Sequence, residues 1–417
     1  MRVALLCETF SKKMGYLQSA LPKYLARLGA ETHVVTMDLA PYYQAADFQE
    51  SYGDFCNPEE LVPGAVETHD GYTLHVLGHR RRLGHMRMRG LRKKLGAIRP
   101  DIVQTMTPIG WIALDATFWK FPLGYRLFTG CHHHASVFPL ASKAARPWSR
   151  EVLRSRLMRW LPGRAVSACT EKCYAIAPDC ADVAVRFMGV PRSKMEVCPL
   201  GVDTELFHPA VEERDKRARQ ELRQRLGFAE GDIVCIYSGR FSEDKNPLLL
   251  ARAVERLGRE GTAFRGLFVG QGVQGPAIES CAGCSTHPFV AVQELGEYFR
   301  GADVGVWPTQ ESMSMLDAAA CGIPIVANHT MSVPERVNGN GATYRLGDLE
   351  DLMRVLRQFE GAQTRERLGA AGARKMAGEF SWESVARRRL ADYEHAGLRA
   401  GNLQHSRAAR GVRDSAA

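Results

Sequence analysis

No uncharged apolar run in the chain approaches the roughly 18 residues that a membrane span needs, so a spanning helix is excluded. There is no signal-peptide core either. Met1-Arg2-Val3-Ala4-Leu5-Leu6-Cys7 meets Glu8 before one could form, and a cytosolic location is the expectation. A full disulfide framework is also missing: the eleven cysteines are scattered and odd in number, which fits a reducing compartment. Cys281-Ala282-Gly283-Cys284 is a lone CxxC without the second pair that zinc would need. Cys169 and Cys173 are spaced as a helical pair but lack matching histidines. No RRM, zinc-finger or KH signature occurs, so nucleic acid is not an expected partner. What remains is ordinary for a folded protein: 417 residues, 45% apolar and 24% charged, enough for two domains.

The net charge of +9 is unevenly placed. Between His79 and Pro100 stand Arg80, Arg81, Arg82, Arg87, Arg89, Arg92, Lys93, Lys94 and Arg99, with no acidic residue. A second basic stretch runs through Lys143, Arg146, Arg150, Arg154, Arg156, Arg159 and Arg164, broken only by Glu151. Such runs are either solvated faces or surfaces that meet an anionic partner, such as a phospholipid leaflet or a lipid-linked phosphate. Met86, Met88 and Leu91 interleave with the first cluster, which suits an amphipathic helix lying on a membrane.

The apolar pattern alternates between short buried strands and helices. Arg2 to Cys7 reads as a strand, Ser11 to Gly15 as a loop, Tyr16 to Leu28 as a helix and Glu31 to Met37 as the next strand. Asp101–Thr105 and Tyr125–Gly130 read as further strands. The pattern restarts at Asp232–Gly239, with a helix from about Pro247 to Leu257 and strands at Phe264–Gly270, Val304–Trp307 and Ile323–Ala327. Two successive α/β domains follow, with a boundary near Gly201-Val202-Asp203 and the charged stretch Val211–Arg225 as the first helix of the second. Facing Rossmann-like sheets place a cleft between their carboxyl edges, which suits an enzyme with one substrate per domain.

Two segments carry candidate chemistry. Ser238-Gly239-Arg240 with Lys245 lies between a strand and a helix, where backbone N–H groups and a helix dipole favour an anion. Arg240 adds a planar fork and Lys245 a point charge, a set suited to a diphosphate or to ion pairing with Glu243 and Asp244. In the second, Trp307 to Pro324, a strand ends, a polar loop carries Glu311, and an Ala-rich helix carries Asp317. Carboxylates at such a junction can hold vicinal hydroxyls, although Asp317 would also favour its helix's first turn. Cys131-His132-His133-His134 follows a strand, but adjacent histidines point different ways and rarely ligate one ion.

Together with Gly201-Val202-Asp203-Thr204-Glu205-Leu206-Phe207-His208-Pro209 and the Gly15 loop, these blocks give the chain a clear resemblance to the GT4-type retaining glycosyltransferases of GT-B fold. Phe380-Ser381-Trp382 and the helix after it resemble that family's closing helix. The resemblance spans about residues 1–396. It implies an acceptor-binding domain over 1–203, a nucleotide-sugar-binding domain over 204–380, a helix over 381–397 that returns to the first domain, and a disordered tail over 398–417. It places Arg240 and Lys245 on the donor diphosphate, Asp317 on the ribose hydroxyls and Glu311 near the donor sugar. Ser312, Met313 and Ser314 would offer backbone N–H groups, and Gly15 would let its loop approach the phosphates. His132 is assigned to face the donor sugar, with His133 or His134 as substitutes, and Glu335 to stand behind the site. Base recognition is expected around Phe289 to Gln293.

The family pattern Glu-x7-Glu stands here as Glu311-x5-Asp317, with Ser-Met-Ser in place of Gly-Phe-Gly, and Thr309 is the alternative holder of the first position. No Asp-x-Asp occurs, in line with an enzyme that needs neither metal nor cofactor. The expected partners are a UDP- or GDP-sugar donor and a lipid-linked or polysaccharide acceptor, with peripheral contact to an anionic membrane through Arg80–Arg99. A sugar-nucleotide epimerase of the same fold, a non-catalytic module that binds a partner enzyme, and a basic nucleic-acid- or membrane-binding protein without chemistry are the competing readings.

Overall fold

A computed structural model describes residues 1–397 apart from 46, 54, 57–60, 137, 139, 142–148, 310 and 332. Lys143, Arg146 and the tail 398–417 lie outside the described residues. The first domain contains β1 (Arg2–Leu6), β2 (Glu31–Met37), β3 (Val66–His69), β4 (Tyr72–Leu77), β5 (His79–Arg82), β6 (His85–Met88), β7 (Ile102–Thr105), β8 (Arg126–Cys131), β9 (Thr170–Ala175) and β10 (Met195–Val197). Eight of these form a sheet in the order β10-β9-β8-β7-β1-β2-β4-β3, parallel except for β3. The second domain contains β11 (Ile233–Ser238), β12 (Phe264–Val269), β13 (Cys284–His287), β14 (Val304–Trp307), β15 (Ile325–Asn328) and β16 (Gly341–Tyr344), all parallel in the order β13-β12-β11-β14-β15-β16. The central strands are apolar on both faces because helices cover both sides. Val3 to Leu6 and all of β11 are buried. Strand order reverses beside β1 and beside β11, so the loops after these strands open into a crevice.

The segment from His79 to Met88 does not form the amphipathic helix that its Arg and Met pattern suggests. It is the hairpin β5–β6, turned by Leu83 and Gly84, whose φ values are 49° and 79°. The alternation in β6 has a period of two: Met88 is buried and Met86 packs against the core, while Arg87 turns to the opposite face and His85 and Arg89 are exposed. Arg82 and Arg87 lie over the Trp111 ring, 5.1 and 4.9 Å from its centroid, and Arg87 grips Asp115. Only Leu91–Ile98 is helical, and its Leu91 points into the core. Cys169 and Cys173 are not a helical pair either: Cys169 ends the helix Leu161–Cys169, and Cys173 sits in β9.

The domains are joined where two chain segments run side by side. Val202 N–H donates to Phe380 O at 2.7 Å, and Trp382 N–H donates back to Val202 O at 3.0 Å. A Cβ on Gly201 would stand 2.7 Å from Trp382 N, so only glycine fits this crossing. Asp203 is held by Lys23 Nζ at 2.5 Å and by the Tyr24 hydroxyl at 2.8 Å. The helix 382–397 then lies on the first domain. Arg389 stacks on Tyr174 and donates to Gln104, and Asp392 meets Lys172 and Tyr174.

A chain of rings sits under β2 and β4. The Lys94 ammonium can only donate, so His75 Nδ1 accepts from it at 3.3 Å. His75 Nε2–H then donates to His33 Nδ1 at 3.1 Å, and His33 Nε2–H to Glu31. Burial, with Lys94 and His33 nearby, pulls the His75 imidazole from 6.5 down to about 4. The fold therefore needs neutral His75, whereas the unfolded chain takes up its proton near pH 6.5. This contribution is complete above pH 6.5 and is lost as pH falls toward about 4. The thermal midpoint should drop through that window, and His75→Gln should flatten the drop. Equal slopes for the two proteins would exclude this ring as the cause.

Candidate active site

The strand-end loops of both domains line one cleft of about 420 Å³. From the second domain come Arg240 and Lys245 after β11, the loop Glu311–Ser314 after β14, and Asp317 on the helix Ser314–Ala320. Gly239, at φ 149°, lets the chain turn out of β11, and a Cβ there would meet the Tyr237 hydroxyl at 2.8 Å. The acidic loop is tied back to this turn: Lys245 Nζ donates to Glu311 O at 3.2 Å and Ser314 Oγ to Ser238 O at 3.2 Å. Thr309, the alternative to Glu311, instead donates its hydroxyl to Asp244 O and does not line the cleft. Ser312 Oγ lies 2.7 Å from Ser314 Oγ and accepts the Ser314 N–H, so that amide is already engaged.

Charge in the cleft is arranged for an anion and for hydroxyls. Burial brings the Lys245 ammonium down to about 8, against the pull of Asp244. Arg240 pairs across the cleft with Asp47 of the first domain at 3.2 Å and with Asp244 at 3.4 Å. Burial, with Asp203 nearby, pushes the Asp317 carboxyl well above the ordinary carboxylate range. No hydrogen bond reaches its side chain among the described residues, which leaves its oxygens open to a ligand.

The sequence did not single out Arg336. Its guanidinium is buried, lines the cleft and donates to Ser312 O at 3.0 Å. Glu335, beside it, does not line the cleft. Also missed was a stack of rings that joins the domains. Tyr42 and Tyr52 stack at 4.8 Å, and Tyr52 and Phe289 at 5.1 Å. The density of aromatics from Tyr42 to Phe55 was the available signal. Gly15 lines the cleft, and its lack of a side chain serves an approach to the second domain: a Cβ would stand 2.5 Å from Val292 Cγ2.

The three histidines separate. His132 lines an adjoining cavity of about 270 Å³ with Thr9, Gln18 and Met313, and burial lowers its imidazole to about 3. His133 packs edge-on against Phe138. His134 is the one that lines the cleft. A larger cavity of about 840 Å³ lies elsewhere on the second domain, but its Arg219 and Arg223 are engaged by Asp303 and by backbone carbonyls. All eleven cysteines are free thiols, and the CxxC pair is held protonated by burial.

Two parallel-sheet domains facing each other across such a cleft are the GT-B architecture. The chain belongs to the GT4-type glycosyltransferases: residues 20–206 match the family model Glycosyltransferase Family 4, and residues 232–359 match Glycosyl transferases group 1. A D-inositol 3-phosphate glycosyltransferase from Geodermatophilus obscurus is 29% identical over 304 residues, 68% of this chain and 63% of that protein. An MMP alpha-(1->4)-mannosyltransferase from Mycolicibacterium hassiacum is 29% identical over 292 residues, 66% of each chain. The chain thus spans just under two thirds of the length of these relatives. Among solved structures, Anabaena Alr3699/HepE in complex with UDP and glucose superimposes with a TM-score of 0.67 at 15% identity, covering 95% of this chain and 100% of that one. A sucrose-phosphate synthase from Thermosynechococcus elongatus gives 0.66 at 14% identity, covering 95% and 99%.

Proposed function

We propose that the protein is a retaining hexosyltransferase that moves a sugar from a UDP- or GDP-sugar to an acceptor hydroxyl on a lipid-linked or surface-polysaccharide intermediate. The observation that carries this reading is the meeting of Arg240, Lys245 and the unpartnered Asp317 carboxyl in one interdomain cleft. Arg240 and Lys245 take the diphosphate, Asp317 the ribose hydroxyls, and Glu311 with the Ser312–Ser314 loop the sugar. As the glycosidic bond breaks, negative charge grows on the leaving phosphate, and the fixed cations stabilise it without a metal ion. The departing phosphate accepts the acceptor's proton, and the closed domains keep water out. The relatives named for transfer to inositol phosphate and of mannose, and the neighbour holding UDP and glucose, support the donor class.

The acceptor approaches from the first domain, where the cavity beside His132 opens. The basic surface around Arg80–Arg99 supports a peripheral contact with an anionic membrane at the cytoplasmic face. Arg80, Arg81, Arg82, Arg89, Arg92, Lys93 and Arg99 are exposed, and Leu83 at the hairpin tip is 74% exposed. Phe118 and Phe121, also exposed, lie on the helix Gly110–Leu123 that packs against β6.

Thermal-shift titration with UDP, GDP, ADP and their sugars tests the donor site. One nucleotide should stabilise the protein equally with and without EDTA. The gain should shrink as pH rises through about 8, where Lys245 loses its charge. If no nucleotide shifts the midpoint, the non-catalytic module becomes the better reading.

A further inference from the structure

One residue that lines the cleft, His134, which the resemblance offers as a substitute for His132 toward the donor sugar, has a carboxylate partner with no role in the donor reading. His134 lies on the loop after β8, and Asp179 opens the helix Pro178–Phe187. His134 Nδ1 stands 3.2 and 3.1 Å from the two carboxylate oxygens of Asp179, and one of these oxygens also accepts Ala135 N–H at 2.9 Å. The side chains are 17% and 18% exposed, so water competes little for either. A carboxylate only accepts, so Nδ1 carries the proton, and in the neutral ring Nε2 is left as the acceptor. Nε2 has no protein partner among the described residues, and His134 lines the cleft beside Ser312 and Arg336.

We propose that Asp179 is a positioning residue for glycosyl transfer: it holds His134 in the Nδ1–H tautomer, with Nε2 presented to accept a hydrogen bond from a sugar hydroxyl bound in the cleft. This rests on the glycosyltransferase reading above. A ring that turned or changed tautomer would present N–H there, so it would donate to the hydroxyl oxygen instead of accepting its proton and would leave that O–H to find another acceptor. A substrate lacking that hydroxyl would leave a mostly buried acceptor unpaired, so the pair also selects among sugars.

Cys180 Sγ lies near the same two groups, and the three ligand atoms fall within 4.8 Å of one another, so a metal site is the competing reading. Two features oppose it. Burial and the neighbouring Asp179 carboxylate keep the Cys180 thiol protonated. The Arg336 guanidinium interacts electrostatically with Asp179 and Cys180, so a positive charge already stands near the place a cation would take.

The test begins with the wild-type protein. Long-range proton–nitrogen correlation of the histidine rings, assigned with His134→Gln, should show the Nδ1–H tautomer. An Nε2–H tautomer would overturn the proposal, as would ring shifts on adding zinc that EDTA reverses. In steady-state assays Asp179→Asn should lower kcat about 10- to 100-fold, with donor KM within about twofold of wild type. Asp179→Glu should recover part of the loss. Wild-type kcat in Asp179→Asn, or a loss confined to KM, would also overturn it. Nucleotide stabilisation of the wild-type protein is read separately. Its absence would count against the glycosyltransferase reading, while the tautomer reports on the pair itself.

Discussion

Arg240→Ala is expected to lower kcat for release of the nucleoside diphosphate about 100- to 1000-fold, equivalent to about 2.7–4 kcal/mol of barrier. The reason is geometric. Arg240 leaves β11 at Gly239 and turns into the cleft, where its carboxylate partners among the described residues are Asp47 at 3.2 Å and Asp244 at 3.4 Å. Both contacts are long for an arginine–carboxylate pair, so a diphosphate that offers better-placed oxygens can replace Asp47. The guanidinium then acts where charge accumulates during bond breaking. Arg240→Lys should fall between, because an ammonium supplies charge without the two-pronged geometry. The thermal midpoint without nucleotide should change little, since Arg240 is only partly buried. A kcat within a few-fold of wild type would remove Arg240 from the reaction.

Trp382→Ala should produce the largest loss of stability, about 3–5 kcal/mol, with a fall in thermal midpoint on the order of 10 °C. The indole is 1% exposed and sits over Gly201 at the interdomain crossing. The indole also borders the small cavity that leads toward Asp317, so its removal enlarges an existing void. Calorimetry should show more than a lower midpoint: with the crossing loosened, the two domains should melt in separate transitions. A single transition within a few degrees of wild type would show that the crossing does not couple them.

The α/β organisation was legible because strands buried on both faces read as short apolar runs. The stretch before Gly239 and the stretch Val304–Trp307 could be little else. The hairpin His79–Met88 was misread because arginine and methionine alternate over too few residues to separate a period of two from a helical face. The turn signal, Leu83-Gly84, is weak because leucine rarely takes a positive φ. Arg240, Lys245 and Glu311 could be picked out because each lies in the loop after a strand, and Asp317 because it lies on the helix that such a loop opens, where an α/β sheet places its ligands. Asp179 and Arg336 could not. Asp179 meets His134 across 45 positions of sequence, and Arg336 meets Ser312 across 24. Nothing in a single chain reveals such pairings. The three adjacent histidines look equivalent in sequence and differ only in the cavities that they face.

The paired strands at Val202 and at Phe380–Trp382 have a mechanical consequence. Because both links between the domains pass through one narrow strap, the second domain has one easy axis of rotation and resists sliding. Gly15, Val292 and Trp382 border the same small cavity at this axis, so the Gly15–Val292 contact has a short lever arm. The Tyr52–Phe289 stack and the Asp47–Arg240 pair lie outside that cavity, on the longer arm. A few degrees of rotation would part these contacts first and open the cleft at Phe289 and Arg240, while the Gly15–Val292 contact stayed closed.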